Sequence, residues 1–249
     1  MKLTGDLYAY SWKGNDNNCN SYIFAKTIKG EKHILIDPGH VITPFLREPA
    51  FEMLTKRITG DGLSLEDIGL IALTHGHPDH VEAVTKFQEK SGAPVALHKN
   101  DEQIFNQFCR TKVDYYLEEG ELNPGMSGYK AAGSPAHESG QKAALGEGNN
   151  LVKEKLVIYH TPGHSPGQIA IYWPSKKALA VGDDVFYHNT GRFDLPGGDV
   201  VQLKQSIDRL SQLDVEYLLC GHPYESPGVI KGKKAVEENF EFIKTHMWF

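Results

Sequence analysis

The stretch Ile68-Gly69-Leu70-Ile71-Ala72-Leu73 runs straight into Thr74-His75-Gly76-His77-Pro78-Asp79-His80. An unbroken apolar run of this length suits a strand buried on both faces. A lone histidine is usually a structural or surface residue, but three histidines and an aspartate packed onto one loop are hard to explain that way. In a tight loop His75 and His77 can aim at one point while Asp79 and His80 aim at a second, a few ångströms away. Neutral imidazoles and ionised carboxylates at such spacing suit Zn, Mn or Fe.

Upstream of this loop lie short β-rich runs, Leu7 to Trp12, Ser21 to Ile28 and His33 to Asp37, the last ending at the turn Pro38-Gly39-His40. A helical stretch from Phe45 to Ile58 separates them from the motif. Downstream, Val81 to Lys90 reads as a helix, Ala93 to His98 as a strand and Asp101 to Arg110 as a helix. Asn123 to Asn150 is rich in Gly, Ala, Ser, Pro and Asn and poor in large apolar residues. It reads as a surface insertion at about 120–150 or a lid over a site. Strands resume at Lys155 to Tyr159, Gln168 to Trp173 and Ala178 to Val181. Asp199 caps a helix with Gln202 at capping-box spacing, and Val200, Leu203, Ile207 and Leu210 form its apolar stripe. Val215 to Cys220 is a further strand, and Lys233 to His246 a last helix with Val236, Phe240 and Ile243 inward. Every suspicious histidine sits where a strand gives way to a loop, the place where α/β folds collect their chemistry.

Composition narrows the function classes. The 249 residues are 40% hydrophobic and 23% charged, an ordinary globular balance that argues against disorder or coiled coil. A chain of this length can bury one large core, so a single domain over 1–249 is expected. The net charge is −6 with no basic run, which excludes a nucleic-acid or polybasic membrane surface. No apolar stretch is long enough to span a bilayer, and the N-terminus lacks signal-peptide organisation, so the expected location is cytoplasmic. Cys19, Cys109 and Cys220 are too few and too scattered for a disulfide framework and read as buried thiols. The expected partner is a small-molecule substrate, with a homo-oligomer left open. The 12 histidines are the unusual count.

Three more candidates follow strands: His164 in HTPGHSPG, Asp183 in VGDD and His222 in CGHP. In order with the first cluster they match the pattern Thr-His-x-His-x-Asp-His, then His, then Gly-Asp, then Gly-His, and with it the chain resembles the metallo-β-lactamase superfamily. The resemblance implies a four-layer αββα sandwich of the α/β (α+β) class, with metals at one edge of two mixed sheets. Carried over, His75, His77 and His164 would hold one divalent metal and Asp79, His80 and His222 a second, with Asp183 bridging. A shared anion lets two dications sit ~3.5–4 Å apart. Asp184 competes with Asp183, but the pattern places the ligand directly after Gly182. Asp37, in LIDPG, resembles the carboxylate that orients a ligand histidine in this family, and equally reads as a turn-former before Pro38.

Within the superfamily, HTPGHSPGQIAIYW, VGDDVF and GRFDLPGGD look most like the compact glyoxalase II branch, the hydroxyacylglutathione hydrolases. That branch commonly has Gly-Asp-Thr-Leu-Phe and Gly-Arg-Thr-Asp-Leu-Pro-Gly-Gly-Asp, so Asp184, Val185 and Phe193 depart from it. The sequence after His222 is also too short for the C-terminal helical domain with which full-length glyoxalase II enzymes bind glutathione. The resemblance thus implies hydrolysis of a thioester or related ester by a metal-bound hydroxide, with Asp79 and His80 in the catalytic centre. Two zinc ions are expected, with iron or manganese as alternatives. Tyr187 reads as an oxyanion donor or a buried neighbour of the site, and Arg192 as a substrate contact or the partner of Asp194. His40 and His98 follow strands and could face the site, and His160 reads as structural. A persulfide dioxygenase with one iron held by two histidines and a carboxylate remains an alternative on the same fold, as do a lactonase, a phosphodiesterase and a non-catalytic binding protein.

Overall fold

A computed structural model of the chain describes residues 1–122, 129–131, 152–224 and 228–247. In chain order the strands and helices are β1 (Lys2–Thr4), β2 (Leu7–Tyr10), β3 (Ser21–Ile28), β4 (Lys32–Ile36), α1 (Ala50–Gly60), β5 (Ile68–Ala72), α2 (Pro78–Val81), α3 (Val84–Ser91), β6 (Val95–Leu97), α4 (Glu102–Phe108), β7 (Tyr115–Leu117), β8 (Gly120–Glu121) and β9 (Tyr129–Ala131). There follow β10 (Val157–His160), β11 (Ile169–Trp173), β12 (Ala178–Gly182), β13 (Val185–Phe186), β14 (Asn189–Thr190), α5 (Val200–Leu210), β15 (Tyr217–Cys220), β16 (Val229–Lys231) and α6 (Lys233–His246). The expected surface insertion or lid falls mostly on residues outside those described, apart from β9, which pairs with β7.

Two mixed sheets are stacked. One has the order β1-β2-β3-β4-β5-β6-β7-β9 and the other β16-β15-β12-β11-β10-β8. Period-two alternation sorts the side chains, because successive strand residues point to opposite faces. From the first sheet Phe24, Ile34, Ile36, Leu70 and Ala72 meet Ile158, Ile169, Ile171, Trp173 and Leu219 of the second in a core between the sheets. The alternate residues Ile23, Leu35, Ile71 and Val95 face Leu54 and Ile58 of α1, Val84 and Phe87 of α3 and Phe105 of α4. Leu179, Val181 and Leu218 face Leu203, Ile207 and Leu210 of α5 and Val236, Phe240 and Ile243 of α6. Helix, sheet, sheet and helix therefore form four layers. Among the described residues, no helix is long and apolar enough to cross a membrane.

Strand direction decides where the loops collect. β4 runs parallel to β5, and β5 to β6, so the segments after Ile36 and Ala72 leave the same edge. In the second sheet β10 and β12 flank β11 antiparallel to it, and β12 runs parallel to β15. The segments carrying His164, Asp183 and His222 thus leave one common edge. Backbone bonds clamp that edge across the sheets: Ile169 donates to the Thr74 carbonyl at 2.8 Å, and Asn20 to the Gly221 carbonyl at 2.6 Å. The Tyr22 hydroxyl adds a bond to the Cys220 carbonyl at 2.6 Å.

Three helix readings change. The helix expected from Phe45 starts only at Ala50, because Asp16 Oδ2 accepts the N–H groups of Phe45 and Leu46 and Pro49 takes the position before the first helical residue. The helix expected over Val81 to Lys90 divides into α2 and α3, since the Ala83 N–H donates to the Gly39 carbonyl instead of within a helix. Val200 leaves the buried stripe of α5 and is 41% exposed; it is the first residue after the Asp199 cap, whose carboxylate accepts from the Val201 and Gln202 N–H groups.

Ile171 lies fully buried in the inter-sheet core. Ile171→Ala should lower unfolding stability by ~2–5 kcal/mol, the cost of a cavity at a packed site. Urea unfolding of the two proteins checks this, and a loss well below that range would contradict the packing described.

Candidate metal centre

Asp37 closes β4 with a left-handed backbone, φ 50°, a strained conformation for a residue with a Cβ. Its carboxylate accepts from the Thr74 N–H at 2.8 Å and the Thr74 hydroxyl at 2.6 Å, and from His80 Nδ1 at 2.9 Å. One buried carboxylate thereby fixes both ends of the histidine loop. The turn-forming and histidine-orienting readings of Asp37 describe the same residue. His80, donating through Nδ1, is held with its Nε2 facing inward. His164 is oriented likewise, by Nδ1 donating to the Arg192 carbonyl at 2.6 Å.

A second buried carboxylate braces two loops and was not singled out from the sequence. Asp101 accepts from the Gly76 N–H at 2.8 Å, the Ser165 hydroxyl at 2.7 Å and the Gly167 N–H at 2.6 Å. It ties the His75–His80 loop to the one that carries His164. Nothing local marks it, because its partners are far away in the chain.

All seven expected ligand residues converge. Donor atoms of His75, His77 and His164, of His75, His80 and Asp183, and of Asp79, His80 and His222 form three groups, each within 4.8 Å. His77 Nδ1 is 2.8 Å from His164 Nε2. Asp183 Oδ1 is 3.2 Å from His80 Nε2, while its Oδ2 is 3.3 Å from His222 Nε2 and 3.7 Å from His164 Nε2. Asp79 Oδ2 is 3.3 Å from His222 Nε2. His75 Nε2 and Asp183 Oδ1 are buried without a hydrogen-bond partner. Buried polar atoms are ordinarily satisfied, so orphaned donor atoms inside a ring of imidazoles and carboxylates fit divalent metal ions. Asp183, reaching toward both histidine sets, is placed to be shared.

Charge reinforces the arrangement. Burial holds the His75 imidazole well below its ordinary pKa and lowers His77 to about 4, with neighbouring imidazoles adding to the effect. His80 and His222 are pushed down by burial too, but the carboxylates around them outweigh it, Asp183 and Asp37 at His80 and Asp183 and Asp79 at His222, raising both to about 10. Burial raises Asp79 and Asp183, yet His222 and His80 hold both carboxyls well below the usual range. Asp184 differs. It is buried outside the cluster, and burial pushes its carboxyl well up, against the opposing pull of Thr161 and Gln168 and with the Asp183 charge adding to the rise.

Glycines make room for the ligands. Gly182 has φ 48°, and a Cβ there would strike Thr74 Oγ1. A Cβ on Gly221 would collide with Asp183 Oδ1. Of the two expected substrate-contact residues, only one lines the site. Tyr187 is 43% exposed, stacks on His188 at 4.0 Å and does not line the site, because the short β13-β14 hairpin turns Phe186 inward instead. Arg192 lines the site and forms a two-point bridge to Asp194, at 2.9 and 2.8 Å. His40 pairs with Glu82 at 2.7 Å, and His98 stacks on His160 at 4.1 Å; none of these histidines lines the site. Cys220 is buried on β15.

The cluster forms the floor of a cavity of about 750 Å³. His77, Asp79, His164, Asp183 and His222 line it, whereas His75 and His80 lie beneath. Asn17, also lining it, donates from Nδ2 to Asp79 Oδ2 at 2.8 Å, a contact that sequence reading missed because residue 17 sits in a polar loop without a motif.

Residues 14–222 match the Metallo-beta-lactamase superfamily, and the chain belongs to it. It is 31% identical to a probable metallo-hydrolase of Methanocaldococcus jannaschii over 89% of this chain and 91% of that one. It is 29% identical to the hydroxyacylglutathione hydrolase GloC of Haemophilus influenzae over 70% of each. Among solved structures, TTHA1623 in a di-iron-bound form superposes with a TM-score of 0.56 at 31% identity, covering 82% of this chain and 87% of that one.

Two outcomes are expected. Asp101→Ala should weaken zinc affinity ~10–100-fold, as supporting residues of metal ligands do, measured by chelator competition; unchanged affinity would remove Asp101 from the support of the site. Because His80 and His222 hold protons up to about pH 10 in the metal-free chain, metal must displace them. Zinc affinity should therefore rise with pH from 6 to 8, with protons released on binding in weakly buffered calorimetry. Affinity independent of pH would contradict the protonation described.

Proposed function

We propose that the chain is a metallo-hydrolase that cleaves a thioester or related ester, with a dinuclear site of which zinc is the expected occupant. The observation that carries this reading is the placement of Asp183 between two three-residue donor groups at the floor of the cavity. His75, His77 and His164 would hold one metal and Asp79, His80 and His222 the other. When bound, such metals supply Lewis acidity and bring the pKa of a water toward neutrality.

The chain's own residues have distinct tasks. Asp37 and the Arg192 carbonyl hold the rings of His80 and His164 so that Nε2 points inward. Asn17 places an amide N–H₂ beside Asp79 at the cavity wall, where it can donate to negative charge developing on a carbonyl oxygen. The burial of His75 and His80 below the floor keeps bulk water from the inner donors. A thiolate leaves without protonation by a strong acid, which suits walls on which Asp79 and Asp183 are the only carboxyl groups among the described residues. Similarity to hydroxyacylglutathione hydrolases supports the thioester class, and the three buried free cysteines suit a reducing cytoplasm.

Elemental analysis of protein prepared without chelators should give two metals per chain. Asp183→Asn should lower kcat/KM on a thioester by more than the ~10–100-fold typical of a supporting residue, since it removes the shared ligand itself. A single iron per chain, with oxygen consumed on persulfides, would replace the hydrolase by the dioxygenase.

A further inference from the structure

The walls above the metal floor differ sharply from the floor. Phe108 at the end of α4 and Tyr224 after β15 line the cavity and remain 43% and 48% exposed. Phe45 lines it at 81% exposure. It does not hang on a loose loop: Asp16 Oδ2 holds its N–H at 2.7 Å and that of Leu46 at 2.6 Å, and the Thr43 N–H donates to the Glu48 carbonyl at 3.0 Å. Ile104 and Leu195 continue the apolar wall. Anchored aromatic rings turned toward a concave site leave a large apolar area in water, which a complementary ligand would cover.

Charge points the same way. Among the described residues that line the cavity, Arg192 is the only lysine or arginine, and its guanidinium engages Asp194 through Nε and Nη2. A substrate carboxylate seeking a two-point bridge to that edge would have to compete with Asp194 for it. The chain's net charge of −6 adds no attraction for an anion.

We infer that the substrate of this site is an uncharged, apolar thioester or ester whose non-reacting part lies against Phe45, Phe108 and Tyr224, and that glutathione thioesters are poor substrates. The inference rests on the hydrolase reading for the reacting bond and on the cavity walls for the rest. A volume of about 750 Å³ admits a group of drug-like size beyond the scissile bond.

The test uses the zinc-loaded 249-residue chain and thioesters of one acyl group with three thiols: glutathione, N-acetylcysteamine and hexanethiol. The expected order of kcat/KM is hexanethiol, then N-acetylcysteamine, then glutathione, with at least about tenfold between the first and last from apolar burial. Phe45→Ala and Phe108→Ala should each raise KM for the hexanethiol ester more than they lower kcat. Asp194→Ala, which releases Arg192, should lower KM for the glutathione ester. Glutathione preferred by the unaltered chain, or no discrimination, would overturn the inference while leaving the hydrolase reading intact. If neither these thioesters nor the matching oxygen esters are cleaved, the hydrolase reading fails, and the walls are tested separately by calorimetric binding of two uncleavable thioethers, S-hexyl-N-acetylcysteamine and S-hexylglutathione. Tighter binding of the uncharged thioether supports the apolar site; equal or tighter binding of S-hexylglutathione overturns it.

Discussion

The carboxylate of Asp183 stands 3.2 Å from His80 of the loop after the first sheet's β5 and 3.3 Å from His222 of the second sheet, and the architecture serves that juxtaposition. Burying carboxylates and imidazoles together is costly unless each is paired or coordinates a metal. The charges are arranged to meet that cost: low-pKa carboxyls alternate with histidines, and the remaining orphaned atoms face one another where cations fit. For this to occur, two sheets must be stacked with the carboxyl ends of β4, β5, β10, β12 and β15 at one edge. The backbone bonds from Ile169 to Thr74 and from Asn20 to Gly221 hold that edge together.

Rigidity at the site comes from two further carboxylates that are not ligands. Asp37 fastens Thr74 to His80, and Asp101 fastens Gly76 to Ser165 and Gly167. Each is buried and accepts several donors, so neither can move without leaving N–H groups unpaired. Donor atoms aimed from four separate loops need such bracing, since a ligand set misplaced by an ångström loses its metal geometry. The floor is thus polar and braced, while the walls of the cavity are largely apolar and include loop residues such as Phe45 that obey no motif. Floor and walls answer different questions, bond type and substrate type respectively.

How legible each part was follows from the range of the interaction. The strand before the histidine loop, the α5 cap at Asp199 and the apolar face of α6 depend on neighbours within a few residues, and their reading holds. Phe45 to Pro49 was misread as helix because its backbone is captured by Asp16, a partner some thirty residues away whose effect no local pattern carries. Tyr187 was placed at the site on proximity to Asp183 alone, and a two-residue hairpin turned it outward.

The order of ligand types along the chain, and with it the superfamily and the positions of the seven donors, was determined by the sequence itself, because His-x-His-x-Asp-His on one loop is a local arrangement and the others each follow a strand. Only the tertiary structure decided that Asp101 supports the cluster and that Arg192 is tied to Asp194. Those outcomes depend on which strand pairs with which and on contacts between residues far apart in the chain, and no pattern of neighbours along a sequence encodes the direction in which a side chain points across a folded edge.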